Sequence, residues 1–230
     1  MDDNKNTEKL DTDYEKNLKF MRKSVTMDEY PKIKGINFEE DIDLDKFIDS
    51  FSTNGFQATH LGLGISITNL MIDNKAKIFL AFTGNMISCG LRDIITYLVK
   101  HKFVDVLITT SSGIEEDLIK SIKPFVIGDF EASGNALFNM GVGRIGNIFV
   151  PMDRYLELER FLTPIYNEFY NMQKRQKRPC SPSQIARLLG ERINNEESYL
   201  YWAFKNDIPV YCPGIVDGAF GDISYFYKYR

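Results

Sequence analysis

From Lys77 to Ile127 the chain switches repeatedly between two hydrophobic periods, and that alternation leaves few folds open. "KIFLAF" (77–82) is a short, nearly unbroken apolar run suited to a buried strand. "MISCGLRDIITYLVKH" (86–101) then spaces its apolar residues as a helix does, with Ile87, Leu91, Ile94, Ile95 and Leu98 on one side. "FVDVLIT" (103–109) returns to a strand, "IEEDLIKSI" (114–122) to a helix, and "PFVI" (124–127) and "GNIFV" (146–150) to strands. Upstream, "LDKFIDSF" (44–51) and "LGISITNLMI" (63–72) predict helices. Downstream, "DRYLELERFLTPIYNEFYNMQK" (153–174) predicts a long helix, bent or interrupted near Pro164. "CSPSQIARLLGERI" (180–193) announces its own start through a capping box, with Ser181 as cap, Pro182 in the first turn and Gln184 three residues on. "SYLYWAFKN" (198–206) continues as helix and "IPVYC" (208–212) as strand. Strands alternating with helices predict an α/β fold: a mostly parallel, Rossmann-like sheet with helices on both faces, joined by right-handed crossovers.

Residues 1–34 are polar and predict an N-terminal helical arm, leaving 35–230 as the folded domain. Within the arm, Tyr14, Leu18, Met21 and Val25 recur at helical spacing. That stripe suits either a short amphipathic helix docked on a partner or on the body, or a frayed helix that serves only solubility.

In sheets of this kind ligands bind beyond the carboxyl ends of the strands. Three such ends are chemically unusual here. In "FTGNMISCG" (82–90), Gly84 and Asn85 stand between strand and helix and Ser88 falls in the first turn, which suits an anionic phosphate at a helix start. A plain strand-to-helix turn also needs a small residue there. In "VLITTSSGIEEDLIK" (106–120), the hydroxyls of Thr109, Thr110, Ser111 and Ser112 precede a pair of acids. With Ile114 as origin, Leu118, Ile119 and Ile122 span an arc of roughly 140°. Glu115 lies inside that arc, and Glu116 and Asp117 outside it. Glu115 can therefore accept backbone N–H groups, pair with a buried base, or face the crevice and hold a cation. In "PGIVDGAFGD" (213–222), Asp217 and Asp222 project from a glycine-bearing loop, where a solvated Asp-Gly turn is the alternative. Together the ends offer donors to a dinucleotide and carboxylates to a polyamine or similar cation.

Composition excludes several classes. The net charge is −4, and the densest basic patch, "QKRQKRP" (173–179), reads as a solvated helix end, so nucleic acid is not an expected partner. No apolar run approaches the ~20 residues that span a bilayer. The start is charged and lacks the apolar core of a secretory signal. Cys89, Cys180 and Cys212 are far apart and odd in number, fitting neither a disulfide framework nor a metal site. A reduced, cytoplasmic location is expected.

The segments "NGFQATHLG", "FTGNMISCGLRDIITYLV", "FVDVLITTSSGIEEDLIK", "GRIGNIFVP" and "ERINNEESYLYWAFKNDIPVYCPGIVDGAFGD" together resemble deoxyhypusine synthase, in order from about Gly35 onward. The resemblance implies an NAD-dependent transferase that oxidises spermidine. The 4-aminobutyl group passes through an imine on an enzyme lysine to one lysine of the hypusine-bearing translation initiation factor. It implies a tetramer with sites at subunit interfaces, and an arm that can plug a neighbouring site. Carried over, Gly84, Asn85, Met86, Ile87, Ser88, Thr110, Ser111, Ser112, Glu116 and Asp217 resemble NAD contacts. Glu115, Glu116 and Asp222 resemble the residues that face spermidine. Where many members have Ala-Gly, this chain has Ser111-Ser112, which adds bulk and hydroxyls.

The family's histidine, glycine-rich cofactor segment and imine-forming lysine fall beyond "DISYFYKYR", so no catalytic residue is assigned. Neither His60 nor His101 matches the family histidine, and Lys120 and Lys123 are expected on the exposed side of their helix. The sheet is then C-terminally incomplete, and the chain alone is expected to be poorly soluble or to need a partner, with "YFYKY" (225–229) uncovered. The alternative to an active synthase is a truncated, non-catalytic paralogue that serves as regulatory or structural subunit of a full-length partner.

Overall fold

A computed structural model describes residues 24–229. Tyr14, Leu18 and Met21 of the expected stripe lie outside the described residues, and Val25 is exposed. The chain separates into two compact units, Met1–Leu70 and Met71–Arg230.

In the described part of the first unit residues 24–43 carry no helix, including the described end of the expected helical arm, and the helices begin at Leu44. The unit holds α1 (Leu44–Asp49), α2 (Phe51–Asn54) and most of α3 (Phe56–Asp73). Asp43 caps α1 by accepting the Lys46 N–H at 2.8 Å. Phe47 and Phe51 meet edge to face with centroids 5.1 Å apart. The α3 helix starts seven residues earlier than the apolar pattern predicts, because Phe56 to Gly62 join it.

The second unit carries β1 (Phe79–Phe82), α4 (Asn85–Ser88), α5 (Leu91–Lys100), β2 (Val106–Thr109), α6 (Ser111–Ile122), β3 (Val126–Ile127) and α7 (Gly134–Asn139). It continues with β4 (Val142–Ile145), β5 (Ile148–Pro151), α8 (Asp153–Gln176), α9 (Pro182–Ile193), α10 (Tyr199–Asn206), β6 (Val210–Tyr211) and α11 (Ala219–Lys228). A parallel sheet of order β1-β2-β6 pairs Phe82 with Thr109 and Ile108 with Tyr211. Phe82, Leu107, Thr109 and Val210 point into the core, and Phe79, Ile108 and Tyr211 on the opposite face remain accessible. The core is completed by Ile114, Leu118 and Ile119 of α6, Leu158, Leu162 and Ile165 of α8, Leu189 of α9 and Tyr199 and Leu200 of α10. The strand–helix alternation is thus realised as a parallel sheet with helices.

Three expectations change. First, "PFVI" and "GNIFV" do not extend the parallel sheet; they pair antiparallel with each other, and "GNIFV" also with β4, in a second sheet of order β3-β5-β4. The Gly146-Asn147 turn between alternating Val142–Ile145 and Ile148–Pro151 is a hairpin signal that the parallel pattern obscured. Second, the helix expected over 86–101 is two helices, broken where Cys89 turns extended. Its inward face is Arg92, Ile95, Thr96 and Val99, while Leu91 and Ile94 are exposed. Arg92 is drawn inward by a buried partner described below, and the face rotates with it. Third, α8 runs through Pro164 as one 24-residue helix. Burial of Leu158, Leu162, Ile165 and Phe169 on both sides of Pro164 holds it despite the missing N–H. The capping box of α9 forms as read, with Ser181 and Gln184 bonding reciprocally.

Candidate functional site

Strands β1 and β2 end side by side, and α4 and α6 begin at once beyond them. Neither helix start has a side-chain cap, so both present free backbone donors at one sheet edge. The helix α6 starts three residues before the predicted Ile114, which puts Ser111, Ser112 and Gly113 in its first turn. Thr110 Oγ accepts the Gly84 N–H at 3.2 Å and shares a 2.9 Å hydrogen bond with the Ser112 hydroxyl. A β-carbon on Gly84 would lie 2.2 Å from Ser112 Oγ. Glycine is therefore demanded at 84 by Ser112 itself, whatever else approaches. The Ser111 hydroxyl turns inward and donates to the Ile215 carbonyl at 3.1 Å. Thr109 Oγ1 is buried beside Gly113 and is, among the described residues, the buried side-chain polar atom left without a hydrogen-bond partner. Asn85 and Met86 are exposed at the same edge, whereas the Ile87 side chain belongs to the core.

One turn along α6 come three consecutive acids, all buried, each facing a different structure. The helix is enclosed on almost every side, so the single apolar arc read from the sequence was too narrow. Glu115 reaches across to the start of α11 and accepts the Phe220 N–H at 3.0 Å, with the Ala219 N–H also bonded to it. Of the three roles open to Glu115, the structure shows N–H acceptance, but at another helix. Burial raises its pKa, these N–H bonds oppose the rise, and nearby Asp222 adds to it. Glu116 accepts the hydroxyl of Ser88 from α4. Burial is the main cause that pushes its carboxyl up to about 7; the Ser88 bond opposes this and Glu115 repels. Tyr155 of α8 faces both acids, and burial together with their charge raises its phenol.

Asp117, expected on the polar side, is fully buried and ion-paired with Arg92 of α5 at 2.8 Å. The pair was missed because each residue was read on its own helix. The available signal was an arginine whose neighbours at helical spacing, Ile95, Thr96 and Val99, are core-forming. Lys120 is likewise turned inward, onto backbone carbonyls of α4 and its exit. Lys123 is half-exposed beside Asp153. Asp217 and Asp222 are exposed on the turn after β6 and the first turn of α11. Glu115 interacts electrostatically with both Glu116 and Asp222, and Asp217 acts, as Glu115 does, on Cys212. Burial, with Asp217 and Glu115 adding, pushes that thiol up to about 11. His60 and His101 are exposed, the latter against the Tyr97 ring.

Gly218 closes this cluster. It sits at φ +78°, and a β-carbon there would lie 2.9 Å from the Glu115 carboxylate. Gly218→Ala is expected to cost about 1–3 kcal/mol, from the left-handed backbone and from displacement of Glu115. Urea denaturation checks it; an unchanged midpoint would mean that Glu115 does not hold the start of α11.

The site is chemically two-ended, with donors and hydroxyls at the head of α6 and buried carboxylates one turn on. Against known proteins, a family model described as deoxyhypusine synthase matches residues 46–230. The chain is 43% identical over 224 residues to the deoxyhypusine synthase of Arabidopsis thaliana, covering 86% of this chain and 61% of that protein. It is 44% identical over 223 residues to that of Senecio vernalis, covering 86% and 60%. It spans about 60% of the length of these curated relatives. A crystal structure of an Entamoeba histolytica protein assigned as a deoxyhypusine synthase superposes with a TM-score of 0.62 at 29% identity, covering 85% of this chain and 67% of that one. The match embraces the parallel sheet, the two helix starts and all three consecutive acids, and with it the chain belongs to the deoxyhypusine synthase family.

Proposed function

We propose that this chain supplies the cofactor- and polyamine-binding part of a deoxyhypusine synthase, which moves the 4-aminobutyl group of spermidine to a lysine of the hypusine-bearing translation initiation factor. The observation that carries the reading is the convergence at one end of α6 of unspent donors and buried carboxylates. NAD fits the donor end. The uncapped helix starts and the Thr110 and Ser112 hydroxyls suit phosphate and ribose oxygens. Held there by the Thr110 and Ser112 hydroxyls and the helix starts, NAD would supply the hydride acceptor and donor that oxidation of spermidine and reduction of the product require. Glu115, Glu116 and Asp222 form the cation end, where ionised carboxylates hold ammonium groups. Glu116 is poised between neutral and ionised near pH 7, so an arriving cation shifts it to the charged form. Among the described residues no helix is long and apolar enough to cross a membrane. The proposal includes a cytoplasmic location and assembly as a homotetramer or with a full-length paralogue.

Calorimetric titration of the chain with NAD and with spermidine, followed by a labelled 4-aminobutyl transfer assay on the initiation factor, tests this. Binding of both ligands with transfer supports the synthase. Binding with transfer only when another family member is added supports a regulatory or structural subunit. Absence of binding to either ligand overturns the proposal.

A further inference from the structure

Helix α4 is one turn long and breaks at Cys89, so the carbonyls at its exit lack the N–H partners of a continuing helix. All three carbonyls at its exit point to one side chain: Lys120 Nζ lies 2.7 Å from the Ile87 oxygen, 3.1 Å from that of Ser88 and 3.0 Å from that of Cys89. An ammonium group has three N–H bonds, one for each carbonyl, and its charge opposes the negative end of the turn. Lys120 stands four residues after Glu116 on α6, so the two share a helix face. Ser88 is thereby gripped twice by that face, its hydroxyl by Glu116 and its carbonyl by Lys120.

We infer that Lys120 is a positioning residue: it clamps the α4 turn onto α6 and so sets the Ser88 hydroxyl against the Glu116 carboxyl. The role at a binding site rests on the proposed function, but the clamp itself does not. Without Lys120 the Ile87 and Ser88 carbonyls lose the bonds shown for them and the Cys89 carbonyl keeps only the Arg92 N–H at 3.4 Å, so Ser88 swings with the turn. The charge also bears on Glu116, which faces Ser88 and Lys120 as well as Glu115 on its own helix and Tyr155 from α8. Lys120 in turn faces Arg92, Asp93 and Asp117.

The test compares Lys120→Met and Lys120→Arg with the parent chain, by amide hydrogen exchange and by NMR titration of the Glu116 carboxyl. In Lys120→Met the amides of Ile87 and Ser88, bonded to the Gly84 carbonyl at 2.7 and 2.9 Å, are expected to exchange at least about tenfold faster. Leu107 in β2 should stay protected. The Glu116 midpoint should rise by roughly half a pH unit. Lys120→Arg, which keeps the charge, should restore most of both. NAD affinity should fall at least about tenfold in Lys120→Met. An unmoved midpoint with unchanged exchange in Lys120→Met overturns the inference, and so does a Lys120→Arg chain no better than Lys120→Met. If Lys120→Met does not fold, a Lys120→Arg chain with parental exchange at Ile87 and Ser88 supports the clamp and accelerated exchange there overturns it. If the parent chain binds no NAD, the proposed function fails, while exchange and midpoint still decide the role of Lys120.

Discussion

Asp117→Ala is expected to remove about 3–5 kcal/mol of stability, because it strands a buried cation. The Arg92 and Asp117 side chains are 4% and 0% exposed. One carboxylate oxygen accepts Arg92 Nε at 2.8 Å; the other accepts the Ser198 hydroxyl at 2.5 Å and the Leu200 N–H at 3.2 Å. Arg92 also donates to Ser121 Oγ at 2.6 Å. Burial pushes the Asp117 carboxyl up, and Arg92, Ser198 and Leu200 hold it down. Removing it takes from the guanidinium its buried counter-charge, with the Ser121 hydroxyl and the exposed Glu197 carboxylate at 4.0 Å still beside it, and strips a buried hydroxyl and a backbone N–H of their acceptor. It also cuts the polar link between α5, α6 and α10. The pair's net worth is far smaller than the cost of breaking it, since both charges were desolvated to form it. Replacing both residues by leucine is therefore expected to cost less than half as much as Asp117→Ala. By contrast, the exposed pair of Arg187 and Asp207, 2.5 Å apart, should contribute under about 1 kcal/mol. Urea denaturation of Asp117→Ala, the double leucine variant and Asp207→Ala discriminates. An Asp117→Ala cost near that of the surface pair, or a double variant as damaged as the single, would refute the argument.

The second large effect is expected in the pH dependence of polyamine binding. A carboxyl with a pKa of about 7 is protonated over much of the range in which ordinary carboxylates are ionised. A cation binds its ionised form, so spermidine affinity should rise nearly tenfold per pH unit up to about pH 7 and then level off. Glu116→Gln should flatten the profile below pH 7 and weaken binding at least about tenfold at pH 8. The sign for the unliganded fold is opposite. The folded chain holds a proton that the unfolded chain releases near 4.5, so stability falls as pH rises from about 4.5 to about 7. The full shift corresponds to at most about 3 kcal/mol, less after solvent screening, and Glu116→Gln should abolish it. Calorimetry across pH 5.5–8.5 reads the first effect and thermal melts the second. A profile in Glu116→Gln as steep as in the parent chain would assign the dependence to another group.

Much of this protein could be read from local pattern because local pattern has local causes. Short apolar runs such as "KIFLAF" specify strands, and Ser181, Pro182 and Gln184 specify a helix start through bonds made within one turn. The hydroxyls and acids of 109–117 marked the sheet edge because strand ends and helix starts are set by a few neighbours. What a turn of helix faces across the core is not local. Glu115, Glu116 and Asp117 are chemically alike and adjacent, yet one holds the start of α11, one a serine of α4 and one a buried arginine. The same limit explains why the second sheet was taken for part of the first. "PFVI" and "GNIFV" are apolar enough for either sheet, and pairing partners are chosen at a distance.

By itself the sequence determined strands β1, β2 and β6, the helices between them and the capped start of α9, since periodicity, caps and turns act over a few residues. Only the tertiary structure decided which acid meets which donor, that Lys120 turns inward, and that Arg92 rotates its helix. Those outcomes depend on desolvation, which exists only once α5, α6, α8, α10 and α11 have closed around the same carboxylates.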